Sequence, residues 1–186
     1  MASLSAVNLG TGRTATAIAA GDFHNCAELD NGDLKCWGYN NYGQLGIDST
    51  TNMGNSSGDM ASLSAVNLGT GRTATAISAG YFHNCAELDN GDLKCWGYNN
   101  SGQLGIASTT TMGASSGEMA SLSAVNLGTG RTATAIAAGH SHTCALLDNG
   151  DVKCWGRNNT GQLGIDSTTQ TGDSSGEMAS LDAIDL

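Results

Sequence analysis

Six cysteines and three of the four histidines fall into one pattern that occurs three times. His24-Asn25-Cys26 is followed by Cys36, His83-Asn84-Cys85 by Cys95, and His142-Thr143-Cys144 by Cys154. A histidine beside a cysteine is the raw material of a thiolate nucleophile, in which the imidazole takes the thiol proton. Four such groups can instead hold zinc, but zinc sites usually use closer cysteine spacing and four ligands. Three identical copies fit neither chemistry well. They suit His24, His83 and His142 as structural groups that bond to the backbone of a neighbouring turn. Other chemistry is equally thin. Asp30 and Asp33 flank Asn31-Gly32, where acidic and amide residues serve the turn, and the loop lacks the ligand count of a calcium site. Glu28 and Glu87 fall where the third copy has Leu146, which places them at a wet margin with no partner carboxylate for acid–base work. Neither a phosphate-cradling glycine loop nor a serine nucleophile motif is found. The expectation is a protein that is not an enzyme and needs no cofactor or metal.

The elements that carry these residues repeat every 59 positions: Cys26 recurs as Cys85 and Cys144, and Trp37 as Trp96 and Trp155. A period of that size signals an array whose units bury their apolar faces only by stacking on neighbours. The expected repeats are residues 2–60, 61–119 and 120–178, with 179–186 (ASLDAIDL) starting a fourth. Within one repeat four short strands are expected: Ala6–Leu9, Thr16–Ala20, His24–Leu29 and Leu34–Trp37. Four strands joined by tight turns make a propeller blade. Residues 38–60 form a long connection rich in Gly, Asn, Ser and Thr. Helix is not expected, because nowhere does a 3.6-residue apolar period last three turns. The three tryptophans are read as packing between blades.

Between the last two strands, Asp30-Asn31-Gly32 reads as a type I turn closed by a glycine bulge. That register faces Leu29 with Asp33 and Cys26 with Cys36, a non-hydrogen-bonded pair with Cα atoms about 4.5 Å apart, short but compatible with a disulfide. A two-residue turn would face Ala27 with Cys36 and strain the bridge. Disulfides are the leading reading, with free buried thiols and a metal site as the alternatives. They imply an oxidising compartment, hence an extracellular or cell-surface protein. The first residues show neither the basic end nor the apolar run of a signal peptide, and no apolar run approaches a membrane span.

The words His24-Asn25-Cys26-Ala27, Gly32, Lys35-Cys36-Trp37-Gly38, Asn40 and Gly43-Gln44-Leu45-Gly46, kept in all three copies, resemble the repeat of the regulator-of-chromosome-condensation family. The resemblance implies an all-β propeller whose loops are protein-binding surfaces. Members include an exchange factor for a small GTPase, chromatin-bound proteins and a β-lactamase inhibitor. The family's rings are most often seven-bladed, and three blades leave apolar faces and strand edges open. A ring completed by oligomerisation is therefore expected, a homo-oligomer of two or three chains or a filament, with a piece of a longer array as the alternative. With a formal net charge of −10, the chain is expected to repel nucleic acid.

Where the copies differ, the residues cluster in two loops. Asp22-Phe23 becomes Tyr81-Phe82 and then His140-Ser141; Tyr39 and Tyr98 become Arg157; Tyr42 becomes Ser101 and Thr160. One loop precedes the third expected strand and one follows the fourth, so both should open on one rim. Exposed Tyr, Phe, His and Arg suit recognition of a protein or glycan, while drift at unconstrained positions is the alternative. The candidate site is Asp22, Phe23, Tyr39, Tyr42, Tyr81, Phe82, Tyr98, His140 and Arg157. Two functions follow: a binding module that presents this rim, or a structural subunit that assembles into a ring or filament.

Overall fold

The structure, a computed structural model, describes residues 5–185. Ala2, at the expected start of the first repeat, and Leu186, in the expected extra strand, lie outside them. Each repeat folds into one antiparallel sheet of three strands: β1 (Ala15–Ala20), β2 (His24–Leu29) and β3 (Leu34–Gly38); then, after the short helix α1 (Asp59–Ser62), β4 (Ala74–Ala79), β5 (His83–Leu88) and β6 (Leu93–Gly97). After α2 (Glu118–Ser121) come β7 (Ala133–Ala138), β8 (His142–Leu147) and β9 (Val152–Gly156), followed by α3 (Glu177–Ser180). Alternation of buried and exposed residues is clearest in β2 and β3, whose Leu29, Leu34, Cys26 and Cys36 face the core.

The β2–β3 hairpin has the register its turn residues dictate. Leu29 N–H donates to Asp33 O (2.8 Å), Gly32 N–H donates to Leu29 O (2.8 Å), and Gly32 has φ +79°, a conformation that glycine adopts without steric cost. Cys26 therefore faces Cys36, with Cα atoms 4.0 Å apart, and the two are joined. Cys85–Cys95 and Cys144–Cys154 repeat this disulfide, and no cysteine is free.

Two sequence expectations are corrected. Each sheet has three strands, because the segment expected as the first strand joins the sheet before it by one backbone bond. Val66 N–H donates to Leu34 O and Val125 N–H to Leu93 O. By the same bond, Ile184 N–H donates to Val152 O (2.8 Å). Residues 181–185 are thus held on their own chain's third sheet rather than left over for another chain. The second correction is the three helices. They are single turns, too short for an apolar period to show, and each is shaped by its first carboxylate. Asp59 Oδ2 accepts from the N–H groups of Gly54, Asn55 and Ser56 (2.9–3.1 Å). Glu118 and Glu177 repeat the arrangement. Among the described residues, no helix is long and apolar enough to cross a membrane.

The core lies between sheets. Cys26, Leu34, Cys36 and Leu45 of the first repeat pack against Val66, Leu68, Trp96 and Met119, which follow in the chain. Leu93, Cys95 and Leu104 pack in the same way against Val125, Leu127, Trp155 and Met178. No repeat has a core of its own, and the burial of each copy records whether it has a neighbour. Trp96 and Trp155 are fully buried; Trp37, in the first described repeat, is only partly covered, and Ile18 of β1 is 78% exposed.

Candidate functional site: an aromatic rim

Antiparallel pairing brings the β1–β2 loop and the segment after β3 to the same end of each sheet. They are bonded directly: Tyr39 N–H donates to Phe23 O (2.9 Å), Tyr98 N–H to Phe82 O (2.9 Å) and Arg157 N–H to Ser141 O (2.8 Å). The three pairs of loops stand side by side, so residues 59 positions apart become neighbours.

Eight of the nine residues singled out from the sequence come together here. Phe23 packs against Tyr39, Tyr81 and Phe82, with ring centroids 5.5–6.2 Å apart. Phe82 lies 4.0 Å from Tyr81, 4.9 Å from Tyr42 and 5.4 Å from Tyr39, and Tyr42 lies 4.8 Å from Tyr98. Such offset and edge contacts between rings are favourable beyond the area they bury. His140 stacks on Tyr81 (4.0 Å, 16° between planes) and sits 2.8 Å from the Ser141 hydroxyl. Phe23 remains 54% exposed, and Tyr39, Tyr42, Tyr81, Phe82 and Tyr98 are partly exposed. All four tyrosines and both phenylalanines of the chain are in this one patch.

Two concavities open in it. One, of about 230 Å³, is lined by Phe23, Tyr39, Tyr81 and Phe82. The other, of about 190 Å³, runs between Tyr42 and Tyr98 on one side and His140 and Arg157 on the other, and Ser101 and Ser141 add hydroxyls. Asp22 is exposed on the first loop and takes no part in the ring contacts.

Behind the rim lies a polar junction that sequence reasoning missed. His24 Nε2–H donates to Asn84 Oδ1 of the next repeat (2.9 Å), and His83 Nε2–H donates to Thr143 Oγ1 (3.0 Å). The histidines thus bond side chains in the following sheet, where a neighbouring backbone turn was expected. Asn84 and Trp96 both donate back to the Gln44 carbonyl (2.7 and 3.1 Å), and Thr143 and Trp155 to that of Gln103 (2.9 and 3.1 Å). The only sequence signal was the position after each histidine, held by Asn25, Asn84 and Thr143. Burial drives the His83 pKa down to about 3, and lowers those of His24 and His142. A neutral imidazole with Nε2 protonated satisfies each bond, and leaves Nδ1 of His24 and His83 without a partner.

The acidic turns do structural work. Asp30, Asp89 and Asp148 form exposed ion pairs with Arg13, Arg72 and Arg131, and Asn31 bonds Asp33. Among the described residues no three His, Cys, Asp or Glu side chains form a group that could hold a metal. Asn40, fully buried, staples the loop behind the rim by donating to the Ser49 and Thr51 carbonyls and accepting from Leu45 N–H.

A row of like sheets that touch along their first strands, with loops gathered at one end, defines a β-propeller segment. Residues 15–44, 74–103 and 133–162 each match the regulator of chromosome condensation (RCC1) repeat, and the chain belongs to that repeat family. The human probable E3 ubiquitin-protein ligase HERC3 is 33% identical over 155 residues, which cover 83% of this chain and 14% of the ligase. The ultraviolet-B receptor UVR8 of Arabidopsis thaliana is 25% identical over 193 residues, 80% of this chain and 42% of the receptor. Among solved structures, Prp20p from Saccharomyces cerevisiae superposes with a TM-score of 0.71 at 20% identity, covering 92% of this chain and 38% of that one. The chain therefore spans well under half the length of these relatives.

Proposed function

We propose that the chain is a non-catalytic binding module that presents its aromatic rim to a protein or glycan. The observation that carries this reading is the convergence of every Tyr and Phe of the chain on one partly exposed patch with two concavities. Exposed aromatic clusters of this kind are costly in water and are typical of interaction surfaces. Three disulfides support an extracellular or cell-surface setting. Binding to a glycan array and to a displayed peptide library should show selective ligands for the wild type. The triple variant Tyr39→Ser, Phe82→Ser, Tyr98→Ser should lose them while its melting temperature stays within a few degrees. If the wild type selects nothing, or the variant binds as well, the reading is wrong.

A second reading, a structural subunit that assembles with copies of itself, is favoured by the exposed end sheets. On one end Ile18 is exposed where Ile77 and Ile136 are partly buried, and Trp37 is partly covered where Trp96 and Trp155 are fully buried. The bonding between repeats lets that reading be carried to particular atoms.

A further inference from the structure

The two ends of the array carry opposite halves of one junction. Within the chain, that junction is made twice: Gln44 O and Gln103 O accept from the Trp of the following repeat, and His24 and His83 donate to its Asn or Thr. At the far end, Gln162 O and His142 Nε2 are the equivalent acceptor and donor, and no following repeat meets them among the described residues. At the near end, Trp37 Nε1–H and the exposed Asn25 are the equivalent partners, and among the described residues none meets them.

The surfaces match in shape as well as in polarity. Gly46 and Gly105 lie under the indoles of Trp96 and Trp155, whereas Gly164 has only Ile184 beside it. Gly43 and Gly102 are pressed against the backbone of the next repeat at Gly113 and Gly172; Gly161 faces open space. Gly161, Gly164, Asp166, Ser167 and Thr168 line a concavity of about 580 Å³ at this end. Asp48, the first-repeat counterpart of Asp166, accepts from Gly117 and Met119 N–H of the next repeat (both 2.9 Å). The second repeat has Ala107 at that position, and only the third restores the carboxylate. The corresponding Gly58 and Met60 N–H groups at the near end have no such carboxylate.

We propose that the far face of this chain binds the near face of a second copy, head to tail. Trp37 and Asn25 of one copy donate to Gln162 O of the other, His142 donates to Asn25 Oδ1, and Asp166 accepts from Gly58 and Met60 N–H. Residues 181–185, already seated on the third sheet, supply the apolar segment that Val66 and Leu68 supply at the first junction. The docking copy's own residues 5–9, exposed in the single chain, stay outside. The interface is heterologous, so repeated contacts close a ring or run on as a filament. The proposal rests on the assembly reading above and names the surfaces it uses.

Sedimentation equilibrium of the full chain under non-reducing conditions tests both. The wild type should exceed monomer mass at concentrations up to about 100 μM, the range of weak but specific association. Gly161→Asn fits the single chain, since asparagine tolerates positive φ and nothing lies near, but its Cβ would strike the docking backbone. It should weaken association at least about 100-fold, as overpacking does. Asp166→Ala, which copies the native Ala107, should weaken it about tenfold. The rim variant Tyr98→Ser should associate as the wild type does. A monomeric wild type would overturn the assembly reading and this proposal together. Association that survives Gly161→Asn would overturn this proposal alone and place the contact elsewhere.

Discussion

At the scale of single residues the most consequential group is His83, sealed between sheets with its Nε2–H committed to Thr143. Its folded pKa of about 3 lies below the ordinary value of 6.5, so between those limits the unfolded chain binds a proton that the folded chain refuses. Stability from this site is fully present above pH 6.5 and is lost progressively as pH falls towards 3, at up to about 1.4 kcal/mol per pH unit. His24 and His142 shift in the same direction and add to the slope. Replacing His83 with Gln removes the titration while leaving an amide to reach Thr143. Urea midpoints between pH 5 and 7 should fall with decreasing pH for the wild type and less steeply for His83→Gln. Parallel curves would mean that the imidazole is not held neutral. The carboxylates at the turns contribute little by comparison, because their ion pairs are more than a third exposed.

At the scale of elements, each β2–β3 hairpin is a closed unit. The Cys85–Cys95 bridge spans 10 residues, and a loop of that size is worth roughly 2–3 kcal/mol through restriction of the unfolded chain. The double variant Cys85→Ala, Cys95→Ala should lose about that much stability in urea under non-reducing conditions, and a loss below about 0.5 kcal/mol would mean that packing alone holds the hairpin. A sharper contrast separates equivalent glycines. Ala at Gly43 would drive its Cβ into the Gly113 and Ala114 backbone and should cost about 2–4 kcal/mol; at Gly161 only backbone strain remains, about 1 kcal/mol. Equal costs would mean that the close approach of the first two repeats relaxes freely.

These elements also show what a sequence can carry. The hairpin was legible because Asn31-Gly32 selects a turn and the turn selects a register, and both are local. The rim was legible because antiparallel strands return their loops to one end. Three features were not legible, and each depends on partners 32 to 71 positions away. The attachment of Val66 to the preceding sheet, the Asp48 cap and the use of a Gln carbonyl as the shared acceptor involve backbone atoms, which leave no trace in residue types. The single-turn helices escaped because a carboxylate gathering three N–H groups makes one turn without any apolar period.

At the scale of the molecule, much of the stability resides in the junctions, since both clusters of buried apolar side chains span one. An array of this kind behaves as a line of units coupled to nearest neighbours. The second repeat is covered on both sides, the third on one side and by its own tail, and the first on one side only. Local opening should follow that order. Amide hydrogen exchange at low concentration should be slowest in β5 and β6, where Ala86, Cys95 and Trp96 are fully buried, and fastest in β1, which is exposed along nearly its whole length. The Trp→Phe pair reports the same gradient. At position 96 it removes one of the two donors to the Gln44 carbonyl, leaving Asn84, and should cost about 1 kcal/mol; at position 37 no bond is lost in the single chain, and stability should change by less than about 0.5 kcal/mol. Raising the concentration then separates a chain that stands alone from one that finds a neighbour. Protection should rise in β1–β3, around Gly58 and Met60 and around Gly161 and Asp166 at the far face, with β5 unchanged. Uniform exchange across the three sheets, at any concentration, would show that the repeats open together and that coupling between neighbours does not govern the fold.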